Sequence, residues 1–181
     1  KDDLEVFWAS GAALFVDSDA WNEVGGLDED FFAHMEEIDL CWRLKNRGLK
    51  VGVCGSSNVY HLGGGTLDKS SPEKVFLNFR NNLVLLLKNK EGVSVLFTLR
   101  RMVLDGVAAL RFLIRGEFKY FFSVFRSHLS FYTMILSTLR KRKIEKEARK
   151  NCPPNLIGFF NSSIIVAYFI KGIRKFSDIE R

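Results

Sequence analysis

The sequence has little cysteine, little proline and no long apolar run. Its three cysteines form no CxxC pair, so the sequence predicts neither a disulfide framework nor a zinc site. It predicts instead a reducing, cytoplasmic setting. A membrane-spanning helix needs roughly 18 or more consecutive apolar residues. Asp105 and Arg111 interrupt the best candidate, so we expect no spanning helix. A hydrophobic content of 47% still predicts a folded chain with one core.

Charge is divided unevenly along the chain. Residues 1–90 carry 10 Lys and Arg against 14 Asp and Glu, whereas residues 91–181 carry 17 against 7. An asymmetry of this size predicts two segments with different partners. We therefore place a boundary near Lys90, with an α/β segment over 1–90 and a basic, mainly helical tail over 91–181.

Local patterns predict the elements of each segment. The apolar run from Phe7 to Val16 predicts a buried strand, and Gly11 would let a ligand approach its backbone. Asp17 and Asp19 predict the cap of a short helix that ends at Gly25. Further helices are predicted over 35–47, 73–89, 93–115, 118–150 and 161–176, short strands over 50–54 and 58–61, and a linker over 151–155.

Three carboxylates lie within four residues at the start of the second predicted helix: Glu36, Glu37 and Asp39. Acids in a first turn interact with the helix dipole, at about 0.3–1 kcal/mol each, and that effect alone could explain them. On a helical wheel Glu36 and Asp39 share a polar face with Arg43, whereas Glu37 falls near Leu44. Desolvation raises the pKa of a carboxylate on an apolar face, which suits a general base. Glu37 is therefore the preferred candidate base.

Four motifs in order resemble family 2 glycosyltransferases of the rhamnosyltransferase-like kind. They are WASGAALFV at 8–16, VGGLDEDFF at 24–32, EEIDLCWR at 36–43 and VYH at 59–61. The resemblance covers roughly residues 5–90. It implies the C-terminal part of a GT-A α/β domain without its nucleotide-binding half, followed by the helical tail. The implied reaction transfers a sugar, with inversion, from a nucleotide-diphosphate donor to an acceptor hydroxyl in bacterial cell-surface polysaccharide or glycolipid synthesis.

The resemblance also assigns roles to individual residues. The second acid of the pair, Glu37, would be the base, but the family has Glu-Asp where this chain has Glu-Glu, so Glu36 stays open. Asp39 would either hold Arg43 or bind an acceptor hydroxyl. The residues expected to contact substrate are Gly11, Ala12, Trp42, Arg43, Gly64 and Arg80. Trp42 could equally belong to the core. Arg80 could equally serve in helix packing.

A divalent metal, Mn²⁺ or Mg²⁺, is a further implication of the resemblance. His61 would complete its site, while the Asp-x-Asp motif is expected upstream, in the missing half. Residues 17–19 and 28–30 also fit Asp-x-Asp, but we interpret them as a helix cap and an acidic turn. This chain alone is therefore expected to be inactive.

The tail combines arginines and lysines with many aromatic residues. Basic amphipathic helices of this kind fit an anionic membrane surface, which would place the protein on the inner face of the plasma membrane beside a lipid-linked acceptor. The alternative for the tail is a helical bundle that packs on itself or on a second copy. The alternative for the function is a non-catalytic, membrane-associated or oligomerising module. The acidic front and the lack of a nucleic-acid motif argue against nucleic acid.

Overall fold

A computed structural model describes residues 3–61, 71–164, 166–175 and 178, and the fold within them is mixed but mostly helical. The helices are α1 Ser18–Val24, α2 Glu36–Lys45, α3 Pro72–Asn89, α4 Val95–Ile114 and α5 Phe118–Asn151. A small antiparallel sheet joins β1 Leu4–Glu5 to β2 Gly52–Val53, with Leu4 opposite Val53. Short 3-10 turns lie at Gly11–Ala13 and Glu29–Phe31, and a π turn lies at Val166–Ile170.

The predicted strand over 7–16 is wrong. Phe7 is buried, but the run then forms a 3-10 turn, and Phe15 is 97% exposed. A buried strand needs neighbouring strands that accept its backbone hydrogen bonds. The sheet in the described ranges consists of β1 and β2 alone, and it does not extend into residues 7–16. The strand predicted over 58–61 is also absent, and Tyr60 there is fully exposed.

The helix boundaries follow the capping signals in the sequence. Asp17 Oδ1 accepts the backbone N–H groups of Asp19 and Ala20 at 3.0 Å, and Gly25 ends α1 in the left-handed conformation with φ 76°. Ser71 caps α3, whose first residue is Pro72. The helices predicted over 35–47, 73–89, 93–115 and 118–150 are confirmed, with ends shifted by one or two residues.

The tail packs directly against the front segment. The core unites Phe7, Phe31 and Trp42 with Leu83 of α3 and Phe131 of α5. Helix α4 runs antiparallel to α5, because Phe112 contacts Tyr120 and Met102 contacts Tyr132. The core contacts between Phe131 and the front segment cross the boundary near Lys90, and a division into two domains stays a prediction.

The chain beyond α5 returns to the first strand. Asn155 Nδ2 donates to Glu5 Oε1 at 2.5 Å and to Leu49 O at 3.2 Å. Gly158 has φ 80°, and a Cβ there would lie 2.6 Å from the backbone nitrogen of Phe7. Only glycine permits this approach.

Candidate active site

The loop before α2 is strained. Phe32, His34 and Met35 have φ values of 60°, 66° and 76°, which residues other than glycine rarely adopt. Each such residue costs about 1–3 kcal/mol and persists only where the surroundings enforce it. Strain of this kind is concentrated at functional sites, and here it immediately precedes Glu36 and Glu37.

Helix α3 holds this loop in place. The Asn81 amide nitrogen donates to the carbonyl oxygens of Phe31 at 2.9 Å, Ala33 at 2.8 Å and His34 at 2.7 Å. The Arg80 guanidinium donates to the carbonyl oxygens of Asp30 and Phe31, at 3.0 and 3.1 Å. Two adjacent side chains of α3 thereby fix the backbone that leads into α2.

Glu36 and Glu37 are half-buried and lack partners for part of their carboxylates. The Oε2 atom of each is buried and has no hydrogen-bond partner among the described residues, and the same is true of His34 Nε2. Burial raises the pKa of Glu36, and the neighbouring charge of Glu37 raises it further. Buried polar atoms are normally satisfied, so the Oε2 atoms of Glu36 and Glu37 keep hydrogen-bonding capacity that the described residues do not use.

Gly11 lies beside the acid pair. A Cβ built on Gly11 would be 3.5 Å from Glu37 Cβ and 3.8 Å from Glu37 Cγ. Ala12 is exposed in the same 3-10 turn. The structure therefore brings the predicted residues Gly11, Ala12 and Glu37 together at one surface.

Asp39 lies on a different side of α2 and is fully buried. Its carboxylate accepts from Arg43 Nε at 2.7 Å, Lys88 Nζ at 2.9 Å and Asn89 Nδ2 at 2.7 Å. Arg43 also donates to the carbonyl oxygens of Val24 and Gly26, both at 2.6 Å. Of the two alternatives for Asp39, the structure favours holding Arg43, and Arg43 itself is engaged inside the protein rather than exposed to a substrate.

Trp42 and Arg80 also take the structural alternatives. Trp42 is 8% exposed, and its ring lies 5.2 Å from Phe7 and 5.6 Å from Phe159. Arg80 anchors the strained loop, and burial lowers its pKa. That Trp42, Arg43 and Arg80 contact substrate stays a prediction, and all three side chains make contacts within the protein. Gly64 lies outside the described residues.

The two Asp-x-Asp sequences have the structural roles predicted for them. Asp17 caps α1, and Asp28 accepts from Lys88 Nζ at 2.6 Å and Lys141 Nζ at 2.5 Å. Burial alone would raise the pKa of Asp28, but the hydrogen bonds from Lys141 and Lys88 lower it to about 2. Lys141 also binds Asp30, which ties α5 to the acidic turn.

The described residues do not by themselves fit a metal ion. No group of three or more His, Cys, Asp or Glu side chains that could hold one occurs among them. His61 is exposed at the end of the segment that follows β2. It offers one imidazole ligand, and a metal ion there would need further ligands from elsewhere in the complete protein.

Sequence reasoning missed the residues that support the site, above all Asn81, Lys88 and Asn89. All three are buried, although they occur on a helix whose other buried residues are apolar. Their position on the apolar face of an amphipathic helix could have indicated this role, because a buried polar group requires a hydrogen-bond partner. Lys141 gave no signal, since it lies within a run of four basic residues.

Comparison with known proteins shows that this chain is similar to sugar transferases. The chain is 28% identical over 141 residues to an N-acetylglucosaminyl-diphospho-decaprenol L-rhamnosyltransferase of Mycobacterium tuberculosis, a match that covers 78% of this chain and 39% of that protein. It is 24% identical over 117 residues to the low-salt glycan biosynthesis hexosyltransferase Agl10 of Haloferax volcanii, covering 62% of this chain and 38% of that one.

These distant homologues are glycosyltransferases, and the match spans about two fifths of the length of each. No family model matches the chain, and no solved structure matches it significantly. Among the described helices, none is long and apolar enough to cross a membrane.

Proposed function

We propose that this chain is the base-carrying, acceptor-side part of an inverting glycosyltransferase of the family 2, GT-A kind. Residues 1–90 would form the C-terminal half of the catalytic domain, and residues 91–181 a basic helical region. The observation that carries the proposal is the unpaired acid pair at the start of α2, beside Gly11 and behind a strained loop. The sugar-transferase homologues supply the reaction class.

Glu37 is the proposed base because its side chain adjoins the exposed turn at Gly11. Its carboxylate takes the proton of the acceptor hydroxyl while that oxygen bonds to the anomeric carbon of the donor. The bond from this carbon to the diphosphate breaks in the same displacement, and the nucleoside diphosphate leaves with the electron pair. A single displacement inverts the configuration. Glu36, whose pKa is raised by burial, is the alternative base.

The donor would bind to residues that precede this chain in the complete protein. A divalent metal held there by an Asp-x-Asp motif would neutralise the charge of the departing diphosphate, with His61 contributing one ligand. This chain alone is accordingly proposed to be inactive. The acceptor would be a polysaccharide or a lipid-linked sugar at the cytoplasmic face of the membrane, since the mycobacterial homologue is named for a sugar linked to diphospho-decaprenol.

The test uses the complete protein, with the upstream half present. Release of nucleoside diphosphate is measured over a panel of nucleotide sugars with Mn²⁺ and a membrane lipid extract, for the native protein and for Glu37→Gln and Glu36→Gln. Loss of a general base typically lowers turnover by about 10²–10⁴-fold. We expect that loss in Glu37→Gln, with donor binding retained.

Two other outcomes would change the assignment. If Glu36→Gln loses turnover and Glu37→Gln does not, the base is Glu36. A native protein that binds no nucleotide sugar would instead favour a non-catalytic helical module, and the transferase proposal would be wrong.

A further inference from the structure

Two rows of apolar side chains remain exposed on the outside of the tail. Both recur every three or four residues, so each lies along one side of its helix. On α4 the row is Leu96, Leu99, Val103, Val107, Leu110 and Ile114, and each member is at least half exposed. On α5 it is Phe118, Phe122, Phe125, Leu129, Tyr132 and Leu136, again at least half exposed. We call these two rows the outer apolar face.

Helix α4 has its polarity reversed relative to an ordinary surface helix. Its one acid, Asp105, is buried and forms an ion pair with Arg101, whose Nη2 lies 3.0 Å from Oδ1, while His128 Nε2 lies 3.4 Å from Oδ2. The apolar row is on the outside instead. A surface helix of a soluble protein normally shows the opposite order, and a large exposed apolar patch marks an interaction site.

The two rows lie on neighbouring helices that pack against each other. Tyr132 of the α5 row donates its hydroxyl hydrogen to Met102 Sδ of α4 at 3.8 Å. From Leu96 to Ile114 the α4 row is about 27 Å long, at 1.5 Å per residue. The outer apolar face is therefore an extended surface along two antiparallel helices, larger than a pocket for one side chain.

The charge around this face is almost entirely positive. Residues 95–143 contain ten Lys and Arg but only two acids, Asp105, which is buried, and Glu117. Arg100, Arg111 and Arg115 are exposed on α4, and the line of the α5 row continues into exposed Arg140 and Lys143. Aliphatic and aromatic side chains bordered by basic groups suit the boundary between acyl chains and anionic headgroups.

We infer that the outer apolar face docks on an anionic lipid surface, with α4 and the first half of α5 lying in the plane of the interface. A second copy fits less well, because pairing the same face twice would bring two sets of arginines together without exposed carboxylates on α4 to offset them. An anionic bilayer instead complements both the apolar rows and their basic borders. Lipid binding is measured without turnover, so its failure is distinguishable from failure of the transferase proposal.

The apolar rows are tested with the complete protein and vesicles of phosphatidylcholine mixed with phosphatidylglycerol. Co-sedimentation is compared for the native protein, the pair Val103→Gln and Val107→Gln, and the control pair Leu156→Gln and Ile157→Gln, which changes apolar residues of similar exposure elsewhere. We expect at least about tenfold weaker binding for the first pair and native binding for the control.

The basic border is tested by replacing Arg100, Arg111 and Arg115 with Gln. Near an anionic surface each arginine strengthens binding about fivefold, so the triple variant should bind the mixed vesicles about 100-fold more weakly. Raising the salt concentration should weaken native binding in the same direction. Equal binding of native protein to vesicles of phosphatidylcholine alone would overturn the anionic part of the inference.

Three results would overturn the docking surface itself. They are absence of native binding, equal binding by the Val103 and Val107 variant, and a lipid-free dimer that this variant abolishes. A fluorophore on Val103→Cys provides a second readout should the double variant fail to fold. Its emission should shift to the blue on addition of mixed vesicles. A label already shielded without vesicles would show that protein covers the face.

Discussion

Helix α2 presents acids to two very different environments within a single turn. Asp39 is fully buried, and its carboxylate is held by Arg43, Lys88 and Asn89. Glu36 and Glu37 are half-buried, and each keeps a buried oxygen without a partner in the described part of the chain. The first environment satisfies a charge, and the second leaves hydrogen-bonding capacity unused.

This difference is the reason for which we propose a structural role for Asp39 and a chemical role for Glu37. A buried charge surrounded by fixed donors stabilises the fold but has no free lone pair for a substrate. A carboxylate that directly follows a strained, anchored loop has the opposite properties, since its position is enforced and one of its oxygens has no partner among the described residues. The variants below test this contrast, in order of decreasing effect.

The largest effect is expected at Asp39. Asp39→Asn removes the negative charge, which leaves buried Arg43 without its carboxylate partner and Lys88 with Asp28 as its remaining one. Breaking a buried ion pair typically costs about 3–5 kcal/mol. Urea unfolding followed by circular dichroism should show a loss of this size, whereas Glu36→Gln should change the free energy of unfolding by less than about 1 kcal/mol. Equal losses in the two variants would remove the contrast.

A smaller effect is expected at Asn81. Asn81→Ala deletes the donors to the carbonyl oxygens of residues 31, 33 and 34, and unsatisfied buried groups cost about 1–3 kcal/mol. Asn78→Ala on the same helix is the control, with an expected change below about 0.5 kcal/mol. In the complete protein Asn81→Ala should also lower turnover at saturating substrate, because the loop that orients the acids is released. Unchanged turnover would show that the loop geometry is irrelevant to the chemistry.

The smallest effect concerns acid stability. The folded pKa of Asp28 is lowered from 3.8 to about 2. A depressed folded pKa gives stability that is present above the unfolded value and is lost as pH falls through the folded value. We expect about 1–2 kcal/mol to be lost between pH 4 and pH 2, allowing for solvent screening. In Asp28→Asn the free energy of unfolding, measured against pH, should lack this part of the loss. The same pH dependence in both proteins would contradict the assignment of the loss to Asp28.

The sequence predicted local elements better than their environment. Capping residues and apolar periodicity located the helices, because both act within a few residues of the chain, as Asp17 and Gly25 show. The run from Phe7 to Val16 was misinterpreted because strand formation depends on neighbouring strands. The wheel put Glu36 and Asp39 on one face, but burial divides them, since α3 supplies Lys88 and Asn89 only to Asp39. Apolar periodicity describes one helix at a time, so it could not predict contacts between residues about 50 positions apart, such as Asn89 and Asp39.

The most direct test of the central claim compares two variants of the complete protein in two assays. For Glu37→Gln and Asp39→Asn, sugar transfer per folded molecule and the free energy of unfolding are both measured. We expect Glu37→Gln to lose transfer by about 10²-fold or more with near-native stability, and Asp39→Asn to lose stability while its folded fraction still transfers. Native transfer by Glu37→Gln, together with inactivity of folded Asp39→Asn, would contradict the account and move the chemistry to the buried cluster.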